Sequence, residues 1–186
     1  MEAKHPRMPE RHYENPEEEI TATIRQAEAV DARAILGLLR HVGRETPYLT
    51  FGPQGSRLNV AQEVQLIEHY AASQTSLLLV VEVDDQIIGL ANLSTRDKEK
   101  QSHVAELGIC IIKDYWGYGI GQMVIEELLT FAKKVGLRVI TLEVVVENKR
   151  AVSLYQKFGF EIKGELTDRL HVGLKYLNAY IMEKVL

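Results

Sequence analysis

From position 115 to 121 the chain reads Tyr-Trp-Gly-Tyr-Gly-Ile-Gly, just ahead of apolar residues at helical spacing. Glycines there let backbone N–H groups approach an anion closely, and a helix N-terminus adds partial positive charge. Trp116, Gly117, Tyr118, Gly119, Ile120 and Gly121 are therefore a candidate pyrophosphate cradle, with a plain tight turn as the competing reading. A dinucleotide fingerprint beginning at Gly117 or Gly119 needs a glycine at 122 or 124, where the chain has Gln122 and Val124. The Gly-Lys-Ser or Gly-Lys-Thr run of a nucleoside-triphosphate loop is absent as well.

Two carboxylates stand on strand-like segments. Alternation puts Glu143 on one face with Val139, Thr141 and Val145, so an acid is expected in apolar surroundings there, and Glu106 lies on an earlier strand. Either could accept a proton; either could instead be tied to a nearby Lys or Arg. Tyr155, in Asn-Lys-Arg-Ala-Val-Ser-Leu-Tyr, shares a helix face with Ala151 and Val152, where a phenol donates a proton or fills the helix–sheet interface. Cys110 has only Ile109 and Ile111 beside it, no base, and reads as a structural thiol.

The elements that must position these residues follow from periodicity. Residues 21–27 alternate as a strand, and Ile35, Leu38, Leu39 and Val42 recur at helical spacing. After a Gly- and Pro-punctuated loop, a lid candidate whose Tyr48 and Phe51 could equally pack on the core, Asn59 caps a second helix to about Ser73. Residues 76–83 and 86–95 form a hairpin through Asp84-Asp85, and 103–112 extends it. Ile120, Val124, Leu128, Phe131 and Val135 mark a helix that Gly136 ends. The apolar strand 138–146 reads as buried on both faces. Asn148 caps a further helix, and strands at about 160–167 and 174–185 complete the order βααβββαβαββ.

The chain has 186 residues, which fits one domain. Residues 1–19 are almost free of large apolar side chains and are expected to be a disordered tail, leaving 20–186 as the domain. A formal charge of -4 with no basic stripe argues against a nucleic-acid partner. No apolar run reaches the ~18 residues of a membrane span, and no Cys/His cluster has metal-site spacing, so neither membrane nor metal is expected. One cysteine and no leader pattern fit a cytoplasmic protein.

The glycine loop with its helix, followed by Leu-Glu-Val-Val-Val-Glu-Asn-Lys-Arg-Ala-Val-Ser-Leu-Tyr-Gln-Lys-Phe-Gly-Phe, resembles the central motifs of the GNAT N-acetyltransferase superfamily over about residues 104–166. The resemblance implies a single α/β domain, a mixed and mostly antiparallel central sheet flanked by about four helices. It implies acetyl-CoA as cosubstrate, direct acetyl transfer to an amine, and an acceptor that is a small molecule or a peptide N-terminus. Carried onto this chain, residues 116–121 with Gln122 hold the pyrophosphate. Ile109, Cys110 and Ile111, on a strand that splays from its neighbour at a bulge, pair with the pantetheine arm. Asn148 contacts the cofactor. Glu143, five residues before that Asn, and Glu106 both match positions that members use for the base, and Tyr155 matches the general acid. The family's usual Arg or Gln at the first loop position is Trp116 here. A catalytically silent acetyl-CoA-binding regulatory domain is the alternative from another class. The segment 167–180, with Tyr176, is expected along the acceptor cleft, and homodimerisation through the C-terminal strand edge is a further implication.

Overall fold

A computed structural model of the chain describes residues 8–15, 20–96 and 98–186. Eight strands form one sheet in the order β1-β2-β3-β4-β5-β6-β8-β7. They are β1 (Arg11–Asn15), β2 (Ile20–Gln26), β3 (Leu77–Val83), β4 (Gln86–Thr95), β5 (Val104–Ile111), β6 (Val139–Val145), β7 (Glu161–Val172) and β8 (Lys175–Val185). Every neighbouring pair is antiparallel except β5 with β6. The helices are α1 (Ala32–Glu45), α2 (Val60–Ala72), α3 (Ile120–Lys134) and α4 (Lys149–Lys157). This is the mixed, mostly antiparallel α/β sheet with four helices that the sequence predicts.

Alternation along β3 divides the core. Leu77, Leu79 and Val81 join the main apolar cluster with α3, while Leu78 and Val80 join a second cluster with Ile35 and Leu39 of α1 and Ile67 of α2. Helices thus cover both faces. The β3–β4 hairpin turns on Asp84 and Asp85 at φ 48° and 59°, two left-handed residues that match the twist of the flanking strands. Asn59 caps α2 in a reciprocal box with Gln62, and Asn148 caps α4 by accepting from the Ala151 amide at 3.2 Å.

Three expectations need correction. The tail predicted over 1–19 contains a strand: β1 pairs with β2 from Arg11↔Ile24 to Asn15↔Ile20. The Tyr13 hydroxyl donates to Glu127 of α3 at 2.5 Å and Arg11 lies 3.1 Å from the same carboxylate, which is almost wholly buried. A buried acid 114 residues away therefore anchors a segment whose own apolar content is too low to order it. Residues 1–7 and 16–19 lie outside the described residues. Second, β6 is not buried on both faces. Ile140, Leu142 and Val144 are buried on one face; on the other Val145 is buried, but Val139 and Thr141 are half-buried and Glu143 is exposed. Third, the strand before the glycine loop carries no bulge: β4 and β5 keep continuous register from Gly89↔Ile111 to Thr95↔Ala105. The splay arises because β6 leaves β5, not because β5 leaves β4.

Candidate active site

β5 and β6 pair at only three positions, Val104↔Val139, Ala105↔Ile140 and Glu106↔Thr141. Beyond Glu106 the strands part, and the edge of β5 turned away from β4 is left unpaired. A cleft of about 650 Å³ opens there. Glu106, Gly108 and Cys110 of β5 form one wall, Glu143 and Val144 of β6 another, and Tyr155 of α4 closes its depth. Gly108 has a steric reason: a Cβ there would fall 2.5 Å from the Asn92 Oδ1 on β4.

The glycine loop forms the outer end of this cleft. Gly117 and Gly119 adopt φ of 104° and 81°, which side-chain-bearing residues avoid, and Gly119 is the N-cap of α3. Gly119 O accepts from the Gln122 and Met123 amides, but the amides of residues 117–121 donate to no backbone carbonyl among the described residues. They are orphan donors at a helix N-terminus, aimed where an anion is stabilised. Trp116 donates its indole N–H to the Ile111 carbonyl at 2.8 Å, tying the loop to the end of β5. The Arg150 guanidinium stands 5.3 Å from the centroid of that indole. Gln122 accepts from Lys157 Nζ at 2.5 Å.

Both candidate bases are exposed, and Glu143 is fully engaged. Arg169 of β7 reaches it through Nε at 2.7 Å and Nη2 at 2.8 Å, a bidentate pair. The burial expected from its apolar strand does not occur at Glu143, although Val145 on the same face is buried. Arg169 comes within reach at a register shift between Leu166 and Leu170 on β7. Glu106 lines the same cleft and has no hydrogen bond or ion pair among the described residues. Opposite it on β4 is Ser94, which accepts from Asn92 Nδ2 at 2.9 Å and hydrogen-bonds the Tyr70 hydroxyl at 2.5 Å. Burial first, with the charge of Glu106 adding to it, pushes Tyr70 above the ordinary phenol value despite Ser94 and Asn92.

Tyr155 is buried, its ring edge-on to Phe160 at 5.8 Å. Burial, with a contribution from neighbouring Cys110, holds its phenol well above the ordinary value. Burial likewise pushes the Cys110 thiol up to about 12, so it stays protonated. Tyr48 and Phe51 line the cleft, and Phe51 also packs on the second cluster. The loop is seated on α1 at Gly43, where a Cβ would fall 2.1 Å from the Gly52 carbonyl oxygen. Residues Arg169 to Gly173 line a smaller adjoining cavity of about 430 Å³. Tyr176 lines neither cavity; it is exposed and stacked on His171 at 4.4 Å. Arg150, Arg169, Asn92 and Tyr70 are missed by sequence reasoning. An uncompensated Arg in the first turn of α4 was the one local signal for any of them.

The split mixed sheet with a glycine loop at its opening is the architecture of solved GNAT acetyltransferases. Residues 46–160 match the acetyltransferase (GNAT) family. The chain belongs to that family and is an acyltransferase of it. It is 31% identical over 109 residues to the L-amino acid N-acetyltransferase AaaT of Escherichia coli, covering 58% of this chain and 67% of AaaT. A GNAT acetyltransferase structure from Streptococcus pneumoniae superposes with a TM-score of 0.86 at 29% identity, covering 89% of this chain and 99% of that one. The Salmonella typhimurium yncA structure, described with its cofactor acetyl-CoA, shares the fold at a TM-score of 0.77 and 18% identity, covering 88% and 93%.

Proposed function

We propose that the chain moves an acetyl group from acetyl-CoA directly to the primary amine of a compact acceptor, with Glu106 as base. The observation that carries this reading is the opening between β5 and β6: an unpaired strand edge, an unpaired carboxylate, a buried phenol and the orphan amides of Gly117, Gly119, Ile120 and Gly121 share one cleft. The amides of residues 117–121 hold the pyrophosphate, and the free edge of β5 along Ile109, Cys110 and Ile111 pairs with the pantetheine arm. Asn148 fixes the start of α4 and thereby the depth at which Tyr155 meets the sulfur.

An alkylamine of pKa ~10 arrives protonated at neutral pH and cannot attack. Glu106 removes the proton, and the nitrogen then forms its bond to the acetyl carbonyl carbon. Collapse of the tetrahedral adduct breaks the carbon–sulfur bond; the second nitrogen proton passes to the departing coenzyme sulfur, of conjugate-acid pKa ~8.5, whose developing charge the Tyr155 hydroxyl meets as a hydrogen-bond donor. The products are the amide, free coenzyme thiol and protonated Glu106. Glu143 is a weaker candidate for the base, since Arg169 occupies both its oxygens.

The cleft of about 650 Å³ must hold the pantetheine end as well as the acceptor, which favours a small amine. AaaT is named for L-amino acids, which puts amino acids first among acceptors to try. The test follows coenzyme A release with a thiol reagent across amino acids, other small amines, aminoglycosides and N-terminal peptides. Release that depends on an amino-acid-sized amine is expected. Release only with peptides would overturn the compact-acceptor reading, and tight coenzyme binding without release would overturn catalysis.

A further inference from the structure

Resting on that acetyl-CoA reading, we propose that Arg150, held against Trp116, is a binding residue for the pyrophosphate of the cosubstrate, opposite the glycine-loop amides. The cationic side chains lining the cleft are Arg150 and Lys157. Lys157 is engaged with Gln122, while Arg150 has no hydrogen bond or ion pair among the described residues.

No acid answers the charge of Arg150 within its own helix turn. It lies in the first turn of α4, where backbone N–H groups already present positive partial charge, next to Lys149 and with no acid in that turn. A cation at a helix N-terminus with no acid to answer it among the described residues marks a place where an anionic ligand completes the balance. The glycine-loop amides are neutral donors, whereas a pyrophosphate diester brings two negative charges. A planar guanidinium matches phosphate oxygens in pairs.

Trp116 is the positioning residue. Its indole N–H is pinned to the Ile111 carbonyl, so the ring is a fixed platform, and the guanidinium lies across it at 5.3 Å. The ring thus presents the Arg150 charge beside the glycine loop, within the same cleft.

The experiment is calorimetric affinity of the full chain for coenzyme A and for 3′-dephospho-coenzyme A, in the native protein, Arg150→Gln, Arg150→Lys and Trp116→Leu. Loss of a charged contact to phosphate corresponds to about tenfold or more. Arg150→Gln is expected to weaken both ligands by that factor, equally. Arg150→Lys recovers part of it, and Trp116→Leu shows the same pattern at smaller size. Arg150 is exposed, so Gln there leaves folding intact, which a melting curve checks. Unchanged affinity in Arg150→Gln overturns the proposal, as does a loss seen with coenzyme A but not with its dephospho form, which would assign the guanidinium to the 3′-phosphate. Failure of the native chain to bind either ligand would instead overturn the acetyl-CoA reading itself.

Discussion

Replacing Tyr155 with Phe removes one oxygen and keeps the ring that packs edge-on to Phe160. Burial keeps this phenol above its ordinary value of ~10, so complete proton transfer to a thiolate of ~8.5 is uphill by at least ~2 kcal/mol. The role the structure supports is therefore hydrogen-bond donation to the departing sulfur rather than full transfer. A hydrogen bond to a charged group contributes ~1.5–3 kcal/mol, which corresponds to a fall in kcat of about 10- to 100-fold. The affinity for coenzyme A stays within about twofold, because the contact strengthens only as charge develops on sulfur. The deficit is also flat between about pH 6 and 9, because a phenol raised above ~10 is protonated throughout that range. Steady-state kinetics with a thiol reagent, calorimetry and a melting curve on the same preparations measure all three quantities. A deficit that changes tenfold per pH unit would show that full transfer limits the rate. An equal loss in affinity, or a rate within twofold of native, would refute the hydrogen-bond role.

Glu106→Gln is expected to lower kcat/KM by about 10²–10⁴, while Glu143→Gln costs less than about tenfold; the reverse order in acceptor kinetics would move the base to β6. Tyr13→Phe leaves buried Glu127 with only Arg11 of its two partners, and about 1–2 kcal/mol of stability should go with the half-buried bond, a Tm drop of roughly 2–8 °C by calorimetry. No change would mean that β1 is not anchored by this contact. Burial alone would raise the Asp31 carboxyl, but Arg25 and the Glu28 amide outweigh it and hold the carboxyl below its ordinary value. A depressed carboxyl contributes stability that is present above its unfolded value of ~3.9 and is lost as pH falls through the folded value. Asp31→Asn should therefore lose stability at neutral pH and show a shallower acid limb in denaturant melts below about pH 4; parallel acid limbs would count against the Arg25 pair.

What could be read from the chain were features set by near neighbours. The caps at Asn59 and Asn148 and the Asp84-Asp85 turn are local, and each was visible as residue type at a fixed offset. The glycine loop was legible for the same reason: its φ values demand glycine wherever the fold places it. What escaped depended on distant partners. Tyr13 finds Glu127 across the fold, and no property of residues 11–15 announces it. Glu143 looked buried because its strand is apolar, yet it is exposed and meets Arg169, 26 residues later on another strand. Choosing between Glu106 and Glu143 needed the directions of side chains on three strands, which alternation within one strand does not supply.

Trp116 is the single tryptophan of the 186-residue chain, and it stands at the mouth of the cleft with a guanidinium on its face and a carbonyl on its nitrogen. Excitation near the red edge of protein absorbance therefore addresses one spot, with no background from other indoles. Moving the cation off the ring, or bringing an adenine nucleotide beside it, alters the yield and colour of that one emitter. The unlabelled protein thus carries its own optical gauge of loop occupancy, fast enough for stopped-flow work that separates cosubstrate arrival from acetyl transfer.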